Sequence, residues 1–174
     1  MGRNDVIQVS GLIKYYGEHR AIDGVDFTVE SGHIVALLGL NGAGKTTILR
    51  ILAGDLEPSA GSIKIGGHDL QSEPNNYRRR VGFLPEQVPI YPDMTVDEYL
   101  RFAGALRGVA RTELSQRIDH VCERVALEAY RHAPLAHLSH GFRKRLGIAA
   151  TIIHNPEFVI LDEPINELNP IQIV

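Results

Sequence analysis

Nine consecutive residues, Gly39-Leu40-Asn41-Gly42-Ala43-Gly44-Lys45-Thr46-Thr47, have the types and spacing that bind phosphate. They fit the pattern G-x-x-x-x-G-K-[ST]. Glycines let the backbone approach an anion closely, and successive N–H groups at a helix N-terminus point at it. In that arrangement Lys45 reaches the β- and γ-phosphates of a nucleotide, and the Thr46 hydroxyl ligates Mg²⁺. The flanks suit the pattern. His33-Ile34-Val35-Ala36-Leu37-Leu38 is a short apolar run that reads as a buried parallel strand. Ile48-Leu49-Arg50-Ile51-Leu52-Ala53 reads as a helix that Gly54 stops.

A second candidate stands far along the chain. Phe158-Val159-Ile160-Leu161 is an apolar run closed by two carboxylates, Asp162 and Glu163. Alone this is a common way for a buried strand to reach solvent. Together with a phosphate cradle it gains meaning, because parallel α/β sheets place ligands at the carboxyl ends of their strands. Asp162 can hold Mg²⁺ directly or through water. Glu163 can orient or deprotonate an attacking water.

The elements that must position these residues follow from patterning. The 174 residues can bury one core, or one core with a small subdomain. Val6–Val9 and Lys14-Tyr15-Tyr16 read as strands, the second turned by Gly17, and Val25–Glu30 alternates as a half-buried strand does. Ser62–Ile65 is a short strand ended by Gly66-Gly67. Tyr77-Arg78-Arg79-Arg80 precedes the short strand Val81–Leu84, which Pro85 breaks, and its arginine run reads as a solvated face and not as a binding patch. Thr95 and Glu98 have capping-box spacing for a helix running to Gly108. Leu114, Ile118, Val121, Cys122 and Val125 share one face of a helix from about Thr112 to Leu127. Ser139 is a candidate N-cap for a third helix, Phe142 to Ile153, with Leu146, Ala149, Ala150 and Ile153 as its apolar stripe. Asn155-Pro156 ends it.

Composition narrows the function classes. A net charge of -3 argues against a general nucleic-acid binder. The single Cys122 has no internal disulfide partner and reads as a small buried apolar residue. No apolar run approaches the ~20 residues of a membrane span, and the N-terminus leads into a strand and not a signal peptide. The expected location is the cytoplasm, with any membrane association made through a partner.

In its motifs and their order the chain resembles the ATP-binding domain of ABC transporters, along essentially its whole length. Gly39–Thr46 matches Walker A, Leu138-Ser139-His140-Gly141-Phe142 resembles the signature usually written Leu-Ser-Gly-Gly-Gln, and Phe158–Asp162 with Glu163 resembles Walker B and its catalytic carboxylate. Tyr16 stands at the family's aromatic position that stacks on adenine. Phe83-Leu84-Pro85-Glu86, Tyr91-Pro92 and Ser139–Arg143 are similar to ABC-2 exporter ATPases of the gliding-motility and copper-processing type. The resemblance implies an α/β P-loop NTPase (RecA-like) core with an antiparallel β subdomain and a helical insert. Residues 1–85 would hold the β subdomain and cradle, 86–137 the helical subdomain, and 138–174 the signature helix and Walker B.

The same resemblance implies ATP and Mg²⁺ as ligands. Gly39, Asn41, Gly42, Ala43, Gly44, Lys45, Thr46 and Thr47 would hold the phosphates, and Thr46 and Asp162 the metal. Ser139 and Gly141 would meet the γ-phosphate of ATP held by a second ABC ATPase domain, so two domains close head to tail. The implied partner beyond that is a transmembrane transporter subunit, with the ATPase peripheral on the inner face of the cell membrane. No nucleic acid is implied.

The chain departs from the family pattern in several places. Glu86 occupies the position where the Q-loop glutamine is usual, and Gln87 follows it; either can serve. His140 replaces the first signature glycine, a better account of His137 and His140 than a metal pair. In Ile165-Asn166-Glu167-Leu168-Asn169-Pro170, Asn169 replaces an Asp and Glu167 a Gly at the dimer seam. Lastly, the family continues past this point with a strand bearing a switch histidine, whereas all eight histidines here precede Asp162. The expectation is a C-terminally incomplete domain, with strands missing from its sheet and unstable or inactive by itself. The leading reading is ATP hydrolysis driving transport. The alternatives are a non-hydrolysing nucleotide-binding fragment and a soluble ABC ATPase without transport.

Overall fold

Alternating burial organises the first layer. Ile7, Val9 and Leu12 are buried along β1 (Ile7–Tyr16), which pairs antiparallel with β2 (His19–Val29) on one side and β3 (Ala60–Ile65) on the other. The short β4 (His68–Asp69) extends the sheet, giving the order β2-β1-β3-β4. Ile7 faces Val29 across one ladder and Ile65 across the other. The computed structural model describes residues 7–164. The two strands expected at Val6–Val9 and Lys14–Tyr16 are one. Gly11, at φ 58, and register shifts after Val9 bend β1 without ending it, and the Gly11 N–H donates to Asp26 at 2.8 Å.

Helix α1 (Lys45–Leu52) buries Ile48, Ile51 and Leu52, and Gly54 at φ 71 closes it. The Arg run is solvated as expected at Arg78 and Arg79, which are exposed. Pro74 opens a short helix, α2 (Pro74–Arg79), as proline at a first helical position does. Tyr77 is fully buried with its hydroxyl donating to the Leu52 carbonyl at 2.7 Å. From that face Arg78 donates to the Gly54 carbonyl and Arg80 reaches His68.

The chain divides into two compact units, Met1–Val81 and Gly82–Val174. In the second, β5 (Val81–Leu84) neighbours β6 (Phe158–Leu161). Gly82 lies against Pro156, just before β6, and the Asp162 N–H donates to the Leu84 carbonyl. Start meets start and end meets end, so the two strands run parallel. Between them come α3 (Val96–Leu106), α4 (Leu114–Arg124) and α5 (His140–Ile152). Their apolar faces, including Val96, Leu100, Ile118, Cys122, Leu146 and Ile153, form one buried cluster. The capping box at Thr95 and Glu98 is present in both directions. Arg131 ties the helices at their surface, donating to Asp97 and Asp119.

The strand expected before the cradle is absent. Residues 33–38 form no strand, and Ile34 and Leu38 are exposed. Apolar content alone does not make a buried strand: neighbours must supply main-chain partners. Among the described residues no strand pairs with this segment. The seam residues Asn166, Glu167 and Asn169 lie outside the described residues.

Candidate functional site

In the first unit the cradle is built from backbone. Gly44 takes φ 84 as the N-cap of α1, and no side chain caps that helix. Uncapped first-turn N–H groups are the kind an anion satisfies. A Cβ on Gly44 would stand 2.6 Å from the Ala21 carbonyl oxygen, so only glycine fits where the loop crosses β2. The Ala43 N–H donates to Leu40 at 3.1 Å, and Gly42 is also left-handed at φ 81. Lys45 Nζ donates to the carbonyls of both Gly39 and Leu40 at 2.8 Å. These are neutral acceptors, weaker partners for an ammonium than phosphate oxygens. The residues around it, Asn41, Gly42, Ala43 and Thr46, are exposed, while Thr47 is half-buried. Tyr16 is 47% exposed with Lys14 Nζ 5.5 Å from its ring centre. The hydrogen bond and charge of Asp55 raise the Arg50 guanidinium above its ordinary value.

In the second unit the carboxylates close β6. Asp162 is 4% exposed, and its N–H bond to Leu84 at 2.9 Å levels the ends of β5 and β6. Glu86 therefore follows from the same edge of this sheet as Glu163. Glu163 is exposed and adopts φ 47, a left-handed conformation that is strained by roughly 1–3 kcal/mol for a non-glycine residue. Ser139 caps α5, its hydroxyl accepting from the Phe142 N–H at a long 3.5 Å. The hydroxyl proton is left for another acceptor. Phe142, where the family signature carries Gln, stacks on Tyr130 at 4.1 Å between ring centres, with the Arg145 guanidinium 5.4 Å from its ring.

These features match a known family. The sequence model described as ABC transporter matches residues 22–166. The chain belongs to the ABC transporter family. It is 41% identical over 165 residues to the uncharacterized ABC transporter ATP-binding protein YxlF of Bacillus subtilis, covering 95% of this chain and 54% of that one. It is 38% identical to the daunorubicin/doxorubicin resistance ATP-binding protein DrrA of Streptomyces peucetius, covering 94% of this chain and 50% of that one. A solved structure of the ATP-binding subunit of an ABC transporter superposes with a TM-score of 0.86 at 33% identity, covering 97% of this chain and 70% of that one. The ABC domain thus has the expected P-loop NTPase fold, and the chain spans about half the length of the curated relatives it matches.

One buried polar residue of this ABC domain is not singled out by the sequence. Lys144 is 2% exposed and donates from Nζ to the Glu86 carbonyl at 2.8 Å. Its signal was a polar stripe, Lys144, Gly147 and Thr151, on a helix read only for its apolar one. A glycine inside a helix, about 1 kcal/mol worse than alanine, also marks a close approach.

Proposed function

We propose that this chain is the ATP-binding and ATP-hydrolysing domain of an exporter, working as one of a pair and peripheral to the membrane through a transmembrane subunit. The observation that carries this reading is the cradle at Gly39–Thr47, where a left-handed glycine with no room for a Cβ opens an uncapped helix. That construction suits the oxygens of a phosphate chain.

The roles follow from chemistry. The N–H groups of the cradle and Lys45 bind phosphate oxygens, the ammonium exchanging two neutral carbonyls for charged partners. Tyr16 offers an exposed ring for adenine. Thr46 and Asp162 would hold Mg²⁺, which neutralises charge on the phosphates. Glu163 takes the proton of the water whose oxygen forms a bond to the γ-phosphorus as the bond to the ADP oxygen breaks. Glu86 or Gln87 senses the γ-phosphate, and Ser139 and Gly141 serve the nucleotide of the paired domain. An apolar cavity of about 270 Å³ beside this sensing segment, lined by Phe83, Pro85, Val88, Tyr91, Phe102 and Leu106, supports docking of a transmembrane subunit there.

The test is ATP turnover and nucleotide affinity with Glu163→Gln. The amide keeps the shape and loses the base, so hydrolysis falls about a hundredfold or more while ATP binding stays within about threefold. Equal turnover in the two proteins would remove Glu163 from this role. Phosphate release absent from both, with ATP still bound, would favour a binding module without turnover.

A further inference from the structure

One face of α5 is fastened to the segment that follows from β5. Lys144, Gly147 and Thr151 stand at i, i+3 and i+7, so they share that face. Lys144 Nζ donates to the Glu86 carbonyl at 2.8 Å, and the Thr151 hydroxyl lies 3.2 Å from the Phe83 carbonyl. A Cβ on Gly147 would fall 2.5 Å from Val88, and one on Gly82 would fall 2.4 Å from the Thr151 carbonyl. Helix and segment therefore meet at three helix positions, Lys144, Gly147 and Thr151.

We infer that Lys144 is a positioning residue, whose ammonium orients the peptide plane between Glu86 and Gln87 and makes it move with the signature helix. This rests on the ATPase reading. The peptide unit is planar, so fixing the Glu86 carbonyl fixes the Gln87 N–H in the opposite direction. Both exposed side chains then leave the backbone from one anchored plane, whichever of them meets the γ-phosphate. Ser139 lies on the same helix about 7.5 Å along its axis, so a shift of the plane is passed to the signature end.

The choice of lysine points the same way. Burying an ammonium is unfavourable, and one carbonyl acceptor offsets that only in part. An apolar chain of the same length would pack as well. What lysine adds is a directed bond.

The test compares wild type, Lys144→Met and Lys144→Arg in the full chain. It reads kcat and KM for ATP hydrolysis, Tm, and amide hydrogen exchange at Gln87 and Val88. Lys144→Met is expected to keep its Tm or raise it and to hold KM within about twofold. Its kcat should fall about tenfold, and exchange at Gln87 should quicken by a similar factor. Lys144→Arg, which can still donate, should recover most of both. A Lys144→Met chain with kcat within about twofold of wild type would overturn the inference. So would one that fails to fold, or one whose Tm, KM and kcat all shift together with no recovery in Lys144→Arg, since lysine would then serve packing alone. If wild type itself shows no turnover, the ATPase reading fails, and exchange at Gln87 still decides the tether: faster in Lys144→Met than in Lys144→Arg supports it, equal rates overturn it.

Discussion

The main-chain N–H of Asp162 donates to the carbonyl of Leu84 at 2.9 Å. This bond brings the close of β6 level with the close of β5. The acidic pair Asp162-Glu163 and the pair Glu86-Gln87 therefore emerge at one edge of the same two-stranded sheet, although nearly eighty residues of chain separate them. The bond runs main chain to main chain, so replacing the Glu163 side chain leaves its donor and acceptor in place.

Gly44→Ala should weaken nucleotide binding. The new methyl would sit 2.6 Å from the Ala21 carbonyl and force an unfavourable left-handed backbone. We expect at least a tenfold loss of ATP affinity in a fluorescent-nucleotide titration. Gly39→Ala contrasts sterically: its methyl would meet nothing nearer than the Ala43 Cβ at 3.5 Å, an ordinary contact, so the fold should tolerate it.

Gly147→Ala should destabilise through overpacking, because its methyl would fall 2.5 Å from Val88 and 2.7 Å from Leu84. The expected loss is about 1–3 kcal/mol in urea unfolding. Combining it with Val88→Ala removes the nearest clash and should recover part of that loss. Strict additivity in the double variant would contradict the packing account.

The helical region should weaken in acid. Burial alone would push the Asp97 carboxyl up, but hydrogen bonds from Arg131 and Arg101 outweigh it and hold the group below the usual carboxylate range. A carboxyl lowered on folding contributes stability that is fully present above its unfolded value, near 4, and is lost as pH falls through the folded value. Asp97→Asn should therefore cost about 2 kcal/mol near neutral pH. The gap between its Tm and that of wild type should close as pH drops from about 6 towards 3.

Tyr77→Phe should be disproportionately harmful for the loss of one oxygen. The Tyr77 hydroxyl is fully buried, and its bond to the Leu52 carbonyl joins α2 to the C-terminal end of α1. Removing the donor strands a buried carbonyl, worth about 1–3 kcal/mol by denaturant unfolding. A change below about 0.5 kcal/mol would mean that water reaches that carbonyl.

What the chain reveals without coordinates is everything local. The cradle is legible because Gly42, Gly44, Lys45 and Thr46 are close in sequence and each has a separate steric or chemical reason to be there. The capping box at Thr95 and the cap at Ser139 are legible because their partners lie within one helical turn. The carboxylates at Asp162 and Glu163 stand out because four apolar residues precede them. Sequence misplaces residues 33–38 because an apolar run reports only a wish for burial. Whether it becomes a strand depends on ladder partners supplied by distant chain. It passes over Lys144 for a similar reason: the acceptor of its proton is a main-chain carbonyl 58 residues away, and a carbonyl carries no mark in the sequence. Residue types and short spacings settle which chemistry is possible, whereas the pairing of far-apart backbone groups is decided only when the chain has folded.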